Sequence, residues 1–594
     1  MSSYIKAFFL VFGIFSFEIL GAQSNNEITV VELEDHINFL ASDSLKGRKP
    51  GTPGGKIAAE YIRDQFIESG LTLMGKDGFQ YLNVTTSVKL GDNNTLEFNG
   101  KDAVESVDFK PMPFTSNLEL GAEVVFAGYG MQIDIDSLKW NDYEGIDVEG
   151  KWVMVLRSDP EPENDSSLFI SYGGDRDKVL VARDNKAAGI IFVSGVNVSK
   201  DDKLMGNTFN RVTAAAGIPA VNITRAVADS IIGEGRSIID IEKEIISKKK
   251  PDSFPVDTRV VASLELNRVE VKTQNVIATI EGSDSELKKE YIVIGAHYDH
   301  LGMGGPGSGS RMPDTIAVHN GADDNATGVA AVIELAEKLN SEKPNLRRSV
   351  IFMAFGAEEM GLLGSQYFTN EPLVDMGDIV AMVNFDMIGR LDSTKRTIMI
   401  AGTGTAEQME GLLLDLEKNS TLKFSHSPEG YGASDHASFY GSGVPVLMIF
   451  TGAHQDYHTP FDDVDLINYG GAKEVVDFSY SIIMDFINRD KKLTYKEASA
   501  SKKKTRTGGL KVKFGIMPDF TSTENDGLGV GGVTAGGPAH VGGMLKGDKI
   551  IAINGMPVTN IYDYMARLKK LKPGQTVTVD IIRNGGKQIL MILL

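Results

Sequence analysis

Between residues 291 and 450, four short apolar runs (YIVIGA, VIFMAFGA, IVAMVNF and VPVLMIF) lead directly into side chains that can hold a proton or a metal. The first meets His297, Tyr298 and Asp299, and the second meets Glu358 and Glu359. The third meets Asp386, and the fourth is followed by His454 and His458. Apolar runs of this kind, alternating with helical segments, predict an α/β domain with a mostly parallel central sheet flanked by helices. In such a sheet, groups placed just past the carboxyl ends of the strands converge on one crevice. A fifth segment, GADDNATG, sets Asp323 and Asp324 in the turn before VAAVIELAEKL, whose Val329, Val332, Ile333, Ala336 and Leu339 recur on one helical face.

Taken singly, each feature has an ordinary structural explanation. Aspartates before a helix are commonly caps, and two adjacent glutamates can mark a strand leaving the core. Their concentration in one domain argues otherwise: His297, His300, His319, His426, His436, His454 and His458 account for seven of the nine histidines. The chain has no cysteine, which excludes disulfides and thiolate ligands. Imidazole and carboxylate together suit a hard-to-borderline divalent ion, zinc above all, with cobalt or manganese as substitutes.

The 594 residues are enough for several domains, and 42% hydrophobic with 24% charged residues is ordinary globular composition. A net charge of -20 argues against nucleic acid or an anionic membrane surface as the main partner. Residues 1–22 have the layout of a secretory signal peptide: Lys6, an apolar run interrupted by Glu18, then Gly21 and Ala22. Periplasmic or secreted localisation follows, with no stable membrane span once the signal is removed; a retained anchor is the competing reading. The segment 32–69 reads as two helices around a Gly/Pro-rich loop. Changes of texture divide the rest into a discontinuous catalytic domain (23–115 and 262–492), a β-rich insert (116–261), a linker (493–510) and a small β-rich C-terminal unit (511–594).

The blocks AHYDH, GADDNATG, AEE, NFD, GYGASDHASF and YHTPFDD closely resemble the co-catalytic two-zinc aminopeptidases, whose relatives include glutamate carboxypeptidase, glutaminyl cyclases and the transferrin receptor ectodomain. The resemblance implies two zinc ions per chain, one held by His297 and Asp386, the other by Glu359 and His458, with Asp324 as the bridge. It also implies a cis peptide between Asp324 and Asn325. Asp299 would orient the imidazole of His297. Glu358 matches the general base acting on a metal-bridged water, and Tyr431 the residue that helps hold the oxyanion. His300 stands where many relatives have Ser. It is left out of the metal set, as a residue lining the site mouth or facing solvent.

The implied activity is hydrolysis of the first peptide bond of peptides with a free N-terminus. A glutaminyl cyclase-like acyltransferase and a non-catalytic receptor or scaffold on the same fold are the alternatives. The insert resembles a protease-associated domain. The C-terminal unit resembles a PDZ domain, which implies a C-terminal peptide as ligand, captured at Phe514-Gly515-Ile516 or at Leu528-Gly529-Val530. No ligand or base falls in that unit, so it is expected to be dispensable for hydrolysis of a small aminoacyl amide.

Overall fold

The computed structural model describes residues 27–164, 166–205, 215–498, 511–519, 525–534 and 536–594. The expected signal peptide and residues 499–510 of the expected linker lie outside them. No helix among the described residues is long and apolar enough to cross a membrane.

A nine-stranded sheet carries the peptidase-like part. Its centre is four parallel strands in the order Ser349–Phe355, Tyr291–His297, Ile379–Phe385, Val446–Phe450. The long strand Leu266–Ile280 joins one side antiparallel, and Thr397–Ala401 joins the other. Because side chains alternate across a strand, each central strand serves two cores. Ile292, Ile294, Val350 and Phe352 pack beneath the helices Val30–Leu40, Pro53–Glu68, Gly328–Ser341 and Tyr469–Asn488. Val293, Ile351, Met353 and Phe355 meet Phe368, Phe439 and Tyr440 on the other face. Burial on both faces explains why these strands read as unbroken apolar runs. The two expected N-terminal helices form, the second opened by Thr52, whose hydroxyl accepts from the Gly55 amide at 3.3 Å, and by Pro53.

A second sheet of eight strands holds the insert. It has a parallel centre formed by Leu118–Ala127, Trp152–Leu156, Gly189–Val193 and Ala220–Ile223. Strand Thr95–Phe98 pairs with Ser253–Leu264, and Phe109–Pro111 pairs with Ala220–Ile223. The second unit therefore takes in strands that lie before the boundary expected at 116, because its two edges need them as partners. The C-terminal unit is an antiparallel sheet in the order Ile516–Asp519, Leu528–Val533, Lys549–Ile553, Thr576–Arg583, Gly586–Leu593. Strand Leu528–Val533 is paired on both sides, whereas Ile516–Asp519 is an edge among the described residues. Phe514-Gly515-Ile516 leads into this edge strand, and Leu528-Gly529-Val530 lies in the strand paired on both sides.

Candidate active site

The carboxyl ends of the parallel strands and the turn before helix Gly328–Ser341 meet in one buried space. His297 closes the Tyr291–His297 strand, and its Nε2 lies 3.3 Å from Asp324 Oδ1, 3.7 Å from Asp386 Oδ1 and 3.8 Å from Glu358 Oε2. His458 Nε2 lies 3.2 Å from both Asp324 Oδ2 and Glu359 Oε1. The two oxygens of Asp324 thus face the two histidines separately. Asp323 points elsewhere: it accepts from the Gly389 amide at 2.6 Å and sits 3.3 Å from His454 Nε2. Of the two neighbouring aspartates, only Asp324 spans both clusters.

The local chain is built to hold this arrangement. The Asp324–Asn325 peptide is cis. Asn325 donates to the Phe385 carbonyl at 2.9 Å and accepts from the Gly328 and Met387 amides, tying the turn to the strand end that carries Asp386. Asp462 accepts from the amides of Asp323 and Asp324. Gly321 has φ +56, and a Cβ there would stand 2.1 Å from the Asp324 carbonyl oxygen, so only glycine fits that turn.

Asp299 is fully buried, and its position refines its expected role. Its backbone carbonyl, at 3.1 Å, faces Nδ1 of His297. Its carboxylate instead accepts from the amides of Glu358 at 2.9 Å and Glu359 at 3.4 Å, fixing the glutamate pair from below. Tyr431 packs edge-on against Tyr440 and lines the same cavity of about 440 Å³ as Glu358, Glu359 and His458.

The electrostatics separate the two glutamates. Burial raises the Glu358 carboxyl well above its ordinary range, and Glu359, Asp435 and Asp386 add to the rise against the pull of His297. Glu359 is also opposed by burial and by Asp324, but His300 and His458 outweigh both and hold it down at about 2. Asp324 is buried too, yet His297, His300 and His458 keep it well below the carboxylate range. His458 is raised to about 10, because Asp324 and Glu359 overcome its desolvation.

Two residues set aside or overlooked in the sequence belong to this site. His300 neither lines the mouth nor faces solvent: it is 1% exposed and its Nδ1 stands 2.9 Å from Glu359 Oε1. Arg48, from the Gly/Pro-rich loop near the N-terminus, is completely buried. It donates to the carbonyls of Leu40, Tyr298, Asn320 and Gly321 at 2.6 to 3.0 Å, stapling the N-terminal helices to the loops behind His297 and Asp324. Arg in GRKPG carries no local sign of this role, whereas His300 could have been found by its position one residue beyond Asp299.

The donor set fits divalent metal. Ligand atoms of His297, Asp324 and Asp386 lie within 4.8 Å of one another, and so do those of His300, Asp324 and Glu359. These are hard-to-borderline donors in two groups that share one carboxylate, and buried carboxylates this close call for a cation between them.

The architecture is α/β, and its buried imidazole and carboxylate side chains form two groups that share Asp324 and could hold metal. Comparison with known proteins agrees. Residues 275–483 match the model for Peptidase family M28, 121–231 the PA domain and 515–594 the PDZ domain. The chain thus joins a segment similar to Peptidase family M28 to segments similar to the PA domain and the PDZ domain. Curated relatives include a protein named "Probable leucine aminopeptidase" from Arthroderma benhamiae, 30% identical over 227 residues, which are 36% of this chain and 57% of that protein. Another is "Leucine aminopeptidase 1" from Coccidioides posadasii, 28% identical over 226 residues, 35% of this chain and 55% of that one. The chain thus spans little more than half the length of these relatives. Among solved structures, an aminopeptidase from Aneurinibacillus sp. strain AM-1 is 22% identical, covering 80% of this chain and 97% of that one with a TM-score of 0.46. A zinc aminopeptidase from Bacillus subtilis is 20% identical over 78% of this chain and 97% of its own, with a TM-score of 0.44.

Proposed function

We propose that the chain is an exported metallo-aminopeptidase that hydrolyses the N-terminal peptide bond of peptides. One observation carries the reading: Asp324 is shared between a group with His297 and Asp386 and a group with Glu359, beside which both His300 and His458 stand, while Glu358 lines an open cavity. His297, Asp324 and Asp386 would hold one zinc ion, and Asp324, Glu359 and His458 the other. When bound, the ions supply Lewis acidity that lowers the pKa of a water and polarises a carbonyl. Every residue of this set, with Glu358, Asp299 and Tyr431, falls inside the segment that matches Peptidase family M28.

The protein's own groups then divide the work. Glu358 takes a proton from the attacking water and returns it to the departing amine. Asp299 holds the amides of Glu358 and Glu359 so that the two carboxylates keep separate directions. The Tyr431 hydroxyl steadies the developing oxyanion. Export rests on the Lys6-led apolar run alone.

The test is a panel of aminoacyl p-nitroanilides, each free and N-acetylated, together with a peptide bearing N-terminal Gln. Hydrolysis of the free amines only is expected. Equal rates on blocked substrates, or cyclisation of the Gln peptide without hydrolysis, would contradict the proposal.

A further inference from the structure

Residues 511–594 contribute no ligand or base, yet the structure sets them at the mouth of the site. Ile516, Met517, Pro518 and Thr534 complete the lining of the cavity that holds Glu358 and Glu359. Ile516 packs against the core of its own unit, and the alternation of the strand turns Met517 the other way, toward the end of the peptidase helix His436–Tyr440. A Cβ built on Gly441, in the peptidase part, would lie 3.0 Å from the Met517 methyl.

The contact on Tyr431 is closer still. A Cβ on Gly532 would stand 2.2 Å from the Tyr431 hydroxyl oxygen, so this strand approaches the ring as only glycine allows. Burial raises the Tyr431 hydroxyl, and the amide of neighbouring Val533 acts against that rise. Other contacts hold the unit in this pose. Lys546 Nζ donates to Ser442 at 2.7 Å. On the insert side, Asp563 receives Arg183 at 2.6 Å, Arg567 pairs with Asp184 at 2.8 Å, and Arg176 stacks 3.9 Å over Tyr562. A unit fixed to both neighbours is a wall and not a tethered accessory.

We propose that the PDZ unit is part of the substrate site, with Met517 as a specificity-determining residue that receives an apolar side chain flanking the scissile bond. Gly532 is a positioning residue that lets this wall close on Tyr431. The proposal rests on the aminopeptidase reading for its substrate, and it replaces the expectation that the unit is dispensable for small substrates.

The test uses the full chain. In Met517→Glu, the preference for leucyl over lysyl p-nitroanilide, read as a ratio of kcat/KM values, should fall by roughly 10-fold, with metal content unchanged. A ratio within about two-fold of the parent protein's overturns the proposal.

A second measurement does not need turnover. The chain lacks cysteine, so Met517→Cys carries a unique thiol. Its reaction with a charged thiol reagent should be at least about 10-fold slower than that of Leu545→Cys, an exposed position on the same unit. Adding Gly532→Val should restore fast labelling. Equal rates in Met517→Cys and Leu545→Cys overturn the wall. A parent protein inactive on every aminoacyl substrate defeats the aminopeptidase reading, while the labelling result still decides where the unit sits.

Discussion

The chain contains two sheets with parallel centres, and their carboxyl edges could hardly differ more. In the peptidase part that edge gathers Asp324, Glu358, Glu359 and Asp386 around His297 and His458. In the insert it gathers cations that the protein itself satisfies. Lys178 is buried and donates to the carbonyls of Leu156 and Ser158 at 2.6 Å, and burial draws its pKa down to about 7. Arg225 donates to the carbonyls of Ser194 and Ser199, and Arg157 pairs with Asp175 at 2.9 Å. Both edges offer the crevice that parallel topology creates. One is filled by the chain's own hydrogen bonds, and the other concentrates buried negative charge that a cation must offset. Topology supplies the place, and the residues at the strand ends decide whether it is a site.

That contrast gives a first prediction, with the largest effect. Chelation should abolish hydrolysis, and zinc or cobalt should restore it. Hydrogen exchange should quicken at the Asp324 turn and stay unchanged along the insert's strand Gly189–Val193. Full activity in metal-free protein, or matching changes in both sheets, would erase the distinction.

A smaller effect sharpens it. Arg48→Met leaves four buried carbonyls without their donor and should cost at least about 3 kcal/mol in urea unfolding, with weaker metal binding. Lys178→Met strands two carbonyls in the insert and should cost about 2 kcal/mol, with turnover and metal content kept. Loss of metal in Lys178→Met would mean that the insert supports the site after all.

The gathering of these side chains is legible in the sequence because most of them sit at the ends of apolar runs, where the parallel sheet carries them to one edge. Asp324 faces both His297 and His458 whereas Asp323 faces His454, although the two aspartates are indistinguishable by composition. The parts that escape are those fixed by contacts distant in sequence. Arg48 meets the Gly321 carbonyl across 273 positions, and nothing around GRKPG announces it. The Asp299 carboxylate reaches the amides of Glu358 and Glu359, so its task depends on how two strands are laid side by side. Strand Thr95–Phe98 joins the insert because an edge there needs a partner, a demand that local texture at 116 does not express. The approach of Gly532 to Tyr431 belongs to the packing of two units, and neither segment alone encodes it.

The central claim is that the adjacent glutamates at the end of VIFMAFGA do different work, Glu359 holding metal and Glu358 moving a proton. Metal content and turnover, measured side by side in Glu358→Gln and Glu359→Gln, test it most directly. Glu358→Gln should keep both metals and lose roughly 10² to 10⁴ of the rate. Glu359→Gln should bind one metal weakly and regain part of its rate in excess zinc. The reverse pattern, with Glu358→Gln depleted of metal and Glu359→Gln fully loaded but inert, would contradict the account.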